Sequence, residues 1–343
     1  MKAAVIHEHG EIDRIRIDDI PEPTPGPGEV LVDVKAAALN HLDVWVRIGG
    51  RASLNMPHVL GCDASGVVSA VDGNVQGVRV GDEVILDPGL SCGYCEFCRA
   101  GEQSLCTSYG IIGLTRQGTF AEKVAVPAVC TNPKPVYLTF EEAAALPLAR
   151  VTAYRMLVTR AKFRPGETVL IHGIGGGVAI DALQLTLAGG GVAIVTSSHD
   201  WKLDRAREMG AQETINYATE DVAKRAREIT GGRGVDICFD TVGAATFQTN
   251  FQAVRKGGRI VHCGVTTGAS AEINIQALYW NQISLMGSTM GSRNDFREML
   301  ALVSATHVKP VIDSVGPLED VAELTARMEA GDQFGKLVLK IAD

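Results

Sequence analysis

The sequence predicts an α/β protein in which a doubly wound parallel sheet is joined to a mostly-β domain. Three observations predict it. The chain is 343 residues long, more than one hydrophobic core usually serves and comfortable for two domains. Up to about residue 145 it is made of short β-type runs broken by turns. From "RPGETVLIHG" onward, apolar strands alternate with helical segments, the form that repeated βαβ units take in a sequence.

In the first part the predicted strands are "AAVI", "VLVDVKAAAL", "ASGVVSAV", "DEVIL" and "FAEKVAV". Each is rich in residues that suit a pleated, half-buried surface. Turn-forming stretches such as "PEPTPGPGE", "DGNVQG" and "GLSCG" separate them. In the second part strands are expected at 168–172, 192–197, 213–216, 235–240, 258–264 and 283–288, with helices near 177–188, 200–209, 219–229, 244–255 and 274–280. Six strands in this rhythm match a doubly wound dinucleotide fold. The tail closes with "FGKLVLKI", a strand after amphipathic helices that is expected to return to the first domain.

Composition narrows the function. Hydrophobic residues make up 46% and charged residues 21%, and no apolar run is long enough to cross a bilayer. No membrane partner is expected. The opening "MKAAVIHEHGEIDRI" has charges on both sides of a four-residue apolar segment, which is too short for a secretory signal, so a cytoplasmic location is expected. A net charge of −8 works against the basic footprint that nucleic acid requires. Internal repeats and low-complexity stretches are absent apart from the proline-rich turn at 21–27.

"VLIHGIGGGVAIDALQLTL" is a strand, a glycine-rich turn and a helix in direct succession. Gly173, Gly175, Gly176 and Gly177 let the backbone approach a pyrophosphate, and the helix that begins at Gly177 and Val178 offers free N–H groups and a favourable dipole. A nicotinamide dinucleotide is the expected cofactor. The end of the second strand reads "IVTSSHDWKLDRA": Ser197 and Ser198 stand where NAD enzymes typically carry an acid for the ribose. With Lys202 and Arg205 beyond them, these hydroxyls favour NADP(H), while NAD remains open because Asp200 is near and both cations suit a solvated helix surface.

Four of the eight cysteines fall within fifteen residues in "SCGYCEFCRAGEQSLC". Cys92, Cys95, Cys98 and Cys106 have two, two and seven residues between them, a spacing that lets four thiolates fill every position of a tetrahedral zinc. Two disulfides are the alternative on spacing, disfavoured by the absence of a secretion signal. A nucleic-acid-binding zinc module is a further one, and the acidic balance argues against it.

Together "GCDASGVVSAV", "GDEV", the four-cysteine lobe, "PGETVLIHGIGGGVAIDALQL", "GRGVDICFDTVG" and "GGRIVHCGVTTG" resemble the medium-chain dehydrogenase/reductase superfamily, which includes zinc alcohol dehydrogenases and quinone oxidoreductases. The resemblance spans almost the whole chain. It implies a GroES-like substrate domain at 1–150 with a structural zinc lobe at 91–107, completed by 290–343, a Rossmann domain at 151–289, and an active site in the cleft. It further implies one structural zinc per chain on the four cysteines, outside the chemistry, and a homodimer or homotetramer, for which "SLMGSTMG" is a candidate edge strand.

Zinc alcohol dehydrogenases hold a second, catalytic zinc on a cysteine, a histidine and another cysteine. The matching positions here carry Asn40, Cys62 and Leu148, with Asp63 where a glutamate would follow. Leucine cannot ligate zinc, and a site rebuilt from Cys62, Asp63, His41 and His58 is the remaining route to one. Asn40, Asp43, Arg47 and Gly49 instead resemble the zinc-independent quinone oxidoreductases. The chain therefore reads as a hybrid that keeps the structural zinc and lacks the catalytic one.

The function expected is hydride transfer from a nicotinamide cofactor to a small molecule, a quinone, enone or other activated carbonyl. Asn40, Cys62 and Asp43, the last orienting Asn40 or pairing with Arg47, are the expected substrate-side groups. Thr152, Thr241, Val242, Gly264, Val265, Thr266, Gly287 and Ser288 are expected to border the cofactor. Trp45, Ile48, Leu114 and Trp280 are candidates for an apolar pocket. A zinc-dependent alcohol dehydrogenase with a variant metal site and a non-catalytic NADP(H)-binding regulatory protein are the alternatives.

Overall fold

A computed structural model describes residues 1–49 and 54–342. The chain divides into two compact units, Met1–Val151 together with Gly291–Asp343, and Thr152–Met290.

In the first unit the strands are β1 (Lys2–Ile6), β2 (Glu29–Ala38), β3 (Asp63–Val71), β4 (Glu83–Leu86) and β5 (Lys123–Pro127). Helix α1 (His41–Ile48) follows β2 directly. Strand β2 is the hub, antiparallel to both β3 and β5, and one of its faces, Val30, Val32, Val34, Ala36 and Ala38, is wholly apolar and buried. Val32, Val34, Leu60, Val84, Leu86 and Phe120 are among the side chains of its core. Each fully buried aliphatic or aromatic group there is stabilised by about 1.5–3 kcal/mol relative to exposure.

The second unit is a six-stranded parallel sheet. Its elements are β6 (Thr168–Ile171), α2 (Gly177–Ala188), β7 (Val192–Ser197), α3 (Asp200–Glu208), β8 (Glu213–Asn216), α4 (Val222–Ile229), β9 (Val235–Asp240), α5 (Ala244–Ala253), β10 (Val254–His262), α6 (Ile275–Trp280) and β11 (Ser284–Gly287). The strand order is β8-β7-β6-β9-β10-β11, with every pair parallel. This is the doubly wound order, with β6 and β9 meeting where the direction of winding reverses. Leu170, Ile194, Ile215, Cys238 and Ile260, one from each of five strands, share one core.

The tail contributes α7 (Arg293–Thr306), β12 (Ile312–Pro317), α8 (Val321–Ala330) and β13 (Lys336–Lys340). As expected from the sequence, β13 returns to the first unit, where it pairs antiparallel with β2, and β12 lies outside it. Among the described residues no helix is long and apolar enough to cross a membrane.

Candidate functional site

In the first unit the polar residues of interest converge at the junction of β2 and α1. Asn40 caps α1, and the Asp43 carboxylate accepts its backbone N–H at 2.8 Å, as a capping box requires. The Asn40 side chain is turned to other partners: Nδ2 donates to Asp63 Oδ2 at 2.8 Å and lies 3.3 Å from Cys62 Sγ. Its Oδ1 accepts from Lys336 Nζ at 2.7 Å.

Sequence reasoning missed Lys336. Its ammonium also donates to Leu39 O at 2.7 Å and to Asp63 Oδ2 at 3.2 Å, so its three hydrogens have three acceptors. Lys336 is 5% exposed and Asp63 is fully buried. The remaining Asp63 oxygen accepts the Leu148 backbone N–H at 2.9 Å. The stretch "FGKLVLKI" alone does not single it out, since Lys340 on the same face of the strand is exposed while Lys336 is buried.

Burial raises Asp43 to about 7, with the Asp63 charge adding to the effect. Burial likewise pushes the Cys62 thiol well above its ordinary value, and the carboxylates of Asp63 and Asp43 act in the same direction. In the metal-free chain Cys62 is therefore a protonated thiol. His58 is turned to Gly113 O at 2.9 Å and His41 is exposed at the start of α1. Asn40, Cys62 and Leu148 do not fit a catalytic zinc, and no rebuilt set replaces them: among the described residues, the group of three or more His, Cys, Asp or Glu side chains that could hold a metal ion is Cys92, Cys95, Cys98 and Cys106. The expected alternative pairing of Asp43 with Arg47 also gives way, since Arg47 reaches Gly10 O at 3.0 Å and Glu329 at 2.5 Å.

The lobe cysteines are all free thiols with their sulfur atoms within 4.8 Å of one another, so the disulfide alternative is not what the chain forms. Backbone N–H groups point at the sulfurs. Cys92 N and Ser108 N donate to Cys106 Sγ at 3.3 Å, and Cys95 N donates to Cys92 Sγ at 3.4 Å. Such donors favour thiolates, and those from Cys98 and Thr107 hold Cys95 down to about 6. Four soft donors at this spacing fit a closed tetrahedral metal.

In the second unit the expected cofactor residues lie along the carboxyl ends of the strands. Gly173 (φ +69°) and Gly175 (φ +128°) shape the turn after β6, and Gly176 caps α2, which begins at Gly177 and Val178. A Cβ on Gly173 would meet Val242 at 3.4 Å, and one on Gly176 would enter open space. Gly264 (φ +98°) follows β10, where a Cβ would lie 2.7 Å from Thr241 O. Val265 and Thr266 continue this loop, and Thr266 Oγ1 reaches Thr241 O at 3.4 Å. Gly287 ends β11, and the Ser288 hydroxyl beside it is a buried polar atom without a partner, as a group awaiting a ligand would be. Thr152 is buried, its Oγ1 3.9 Å from Met290 Sδ.

At the end of β7, Ser197 Oγ accepts from His199 N at 3.2 Å and Ser198 Oγ lies 2.9 Å from His199 Nδ1. Lys202 is buried over the Trp201 ring, 5.3 Å from its centroid, and is not a solvated surface residue. Asp200, the competing candidate for a ribose, accepts from Asn216 Nδ2 at 2.7 Å. Of the apolar pocket candidates, Leu114 packs against the first unit's core and Trp280 is 71% exposed on α6.

Comparison with known proteins agrees with the fold of the two units. Residues 26–136 match the family model of the alcohol dehydrogenase GroES-like domain and residues 177–305 that of the zinc-binding dehydrogenases. The chain is 34% identical over 354 residues to an NAD-dependent alcohol dehydrogenase of Sulfolobus acidocaldarius, covering 99% of this chain and 100% of that one. It is 32% identical over 371 residues to a crotonyl-CoA reductase of Streptomyces avermitilis, covering 96% and 82%. The crystal structure of an NAD-dependent alcohol dehydrogenase superposes with a TM-score of 0.95 at 44% identity over the whole of both chains. The chain is an oxidoreductase and belongs to the zinc-type alcohol dehydrogenase family of the medium-chain dehydrogenase/reductase superfamily.

Proposed function

We propose that this oxidoreductase reduces an activated small-molecule acceptor, an enone, quinone or conjugated enoyl compound, at the expense of a nicotinamide dinucleotide and without a catalytic zinc. One observation carries the reading: Asn40, Asp63 and Lys336 satisfy one another around a protonated Cys62, so the positions that bind the reactive metal in relatives hold a closed hydrogen-bonded cluster. Bound dinucleotide supplies the hydride. Simple alcohols need a Lewis acid to lower their pKa, whereas a conjugated acceptor needs positioning and a hydrogen-bond donor. Asn40 is the assigned substrate-side polar group, with Cys62 lining the same pocket and Asp43 and Lys336 fixing Asn40. The likeness to a crotonyl-CoA reductase, named for a conjugated enoyl thioester, supports this substrate class.

Thr152, the Gly173–Val178 turn, Thr241, Val242, Gly264, Val265, Thr266, Gly287 and Ser288 are assigned to the dinucleotide. Ser197, Ser198 and the buried Lys202 support NADP(H), and the relatives named as NAD-dependent support NAD(H); comparing the affinities of NADPH and NADH decides between them. Cys92, Cys95, Cys98 and Cys106 are assigned one structural zinc, and the chain is assigned a homo-oligomeric, cytoplasmic existence without nucleic-acid or membrane partners.

The test is a metal count on the chelator-washed protein beside NADPH and NADH consumption against quinones, enones, enoyl thioesters, aldehydes and alcohols. One zinc per chain with turnover of conjugated acceptors is expected. Two zinc ions per chain with oxidation of simple alcohols would instead establish a zinc-dependent alcohol dehydrogenase. Dinucleotide binding without consumption of any acceptor would leave a regulatory protein.

A further inference from the structure

The three strand-end loops assigned to the dinucleotide meet at one histidine that this assignment leaves without a role. His262 is the last paired residue of β10, level with Asp240 on β9 and with Gly287 on β11. Its backbone carbonyl accepts the Ser288 N–H at 2.9 Å, and its Nε2 lies 2.9 Å from Gly264 O. A carbonyl oxygen only accepts, so Nε2 carries a proton. The other nitrogen, Nδ1, is buried without a hydrogen-bond partner and faces Asp240 Oδ2 at 3.6 Å. A neutral ring would then aim a lone pair at a carboxylate. A ring protonated on both nitrogens places an N–H there instead.

Asp240 is the second half of the device. It is fully buried, and its Oδ1 accepts the Val242 N–H at 2.7 Å. Its Oδ2 accepts from Thr246 Oγ1 at 2.7 Å and from Asn250 Nδ2 at 2.5 Å. Asn250 in turn meets His172 Nε2, on the residue after β6, at 2.8 Å. The backbones are laced as well: Cys263 N donates to Asp240 O at 2.9 Å and Thr267 N to Val242 O at 2.9 Å. One imidazole thus joins the segments 241–243, 264–267 and 287–288.

We propose that His262, held as an imidazolium between Asp240 and the Gly264 carbonyl, is a positioning residue for the dinucleotide, fixing these three loops so that affinity falls when the ring loses its proton. The inference rests on the reading that these strand ends hold the cofactor. The ionisable groups facing the ring are Asp240 from β9 and, beyond Asn250, His172; α5 offers Phe247 edge-on at 6.5 Å with Thr246 and Asn250, and β11 offers the Gly287–Ser288 segment, whose Gly287 O accepts from Arg160 Nε at 3.0 Å. On its own strand the adjacent ionisable group is Cys263. Asp240 raises the ring's proton affinity above the ordinary histidine value, against the opposing effect of burial. The charged form's contribution is complete below the ordinary histidine range and is lost as pH rises through the raised value.

The test uses the full-length, zinc-loaded chain and the fluorescence of whichever of NADPH and NADH binds more tightly. In the wild type the dissociation constant is expected to rise about fivefold between about pH 6 and pH 9, the size of one partly exposed ion pair. His262→Gln retains a donor for the Gly264 carbonyl and removes the titrating charge, so it should bind weakly already at the lower pH and show no such rise. An affinity and pH slope equal to the wild type's would overturn the proposal. A second reading needs no variant affinity: the NMR signal of the His262 ring in the cofactor-free chain should titrate above the free-histidine range, and a ring neutral at the lower pH sinks the idea. If the wild type binds neither dinucleotide, the cofactor reading falls and this role with it. That outcome is distinguishable because the ring titration is measured without cofactor.

Discussion

Lys336 and Asp63 are a buried pair whose partners are fully specified, so removing one leaves the other charged and dry. Lys336→Met is expected to destabilise the first unit by about 3–5 kcal/mol in urea titrations. Adding Asp63→Asn should restore much of that loss, because the stranded charge disappears with it; a double variant no more stable than the single one would refute the pairing. Asp43 makes a pH prediction. Its carboxyl rises from 3.8 in the unfolded chain to about 7 in the folded one, so between those values the folded state binds the extra proton. Stability should therefore fall as pH rises through this window and level off above it. Asp43→Asn keeps an acceptor for the Asn40 N–H and should flatten the slope, as denaturation midpoints measured across the window will show. Much of this site was legible through the family resemblance: "ALNHLDVW" and "LGCDASG" put Asn40, Asp43, Cys62 and Asp63 at the matching positions. Lys336 was not, because it lies 273 residues from Asp63 and only the pairing of β13 with β2 brings it in.

At the scale of elements, legibility followed the strength of the local pattern. The six strands of the second unit stood out because most are short apolar runs alternating with helices, which placed the polar β8 (ETIN) by rhythm, and the observed ends differ from the expected ones by only a few residues. The largest shift is at β10, which begins at Val254 although "RKGG" interrupts its apolar run, since β9 supplies a partner there despite a register shift. The cysteine lobe shows the reverse. Its strand pairing is confined to the two pairs between Gly89–Leu90 and Gly110–Ile111 and the rest is turns and short helices, so a metal on the four sulfurs is expected to contribute its cross-linking. Cys106→Ser should lower the zinc content of the chelator-washed protein from one per chain toward zero. It should also lower the melting temperature while leaving the circular dichroism of the rest of the fold in place. Retention of a full equivalent of zinc would place the metal elsewhere. At the cofactor edge, Gly264→Ala puts a methyl group 2.7 Å from Thr241 O at a φ of +98°. Its strain, on the order of 1–3 kcal/mol, should be visible as weakened binding of NADPH or NADH in fluorescence titrations.

At the scale of the whole molecule, what the chain leaves uncovered matters as much as what it buries. Strand β11 ends the parallel sheet, so one row of its backbone groups has no partner strand within the unit. Beside it, Ile275, Tyr279 and Trp280 of α6 are 70%, 61% and 71% exposed, and Ile273 precedes them at 43%. An unpaired edge flanked by exposed aromatic and aliphatic groups is a place where a second copy can add its own β11, each chain offering the same row to the other about a two-fold axis. The proposed homo-oligomer, where it forms, is expected to use that pairing. Light scattering behind size exclusion should give a mass of at least two chains at micromolar concentration. Replacing Tyr279 and Trp280 together by glutamate should shift it to one chain, because two charges would enter the interface from each side. A wild type that elutes as a monomer would refute this use of the edge, and an unaltered mass in the double variant would place the contact on another surface.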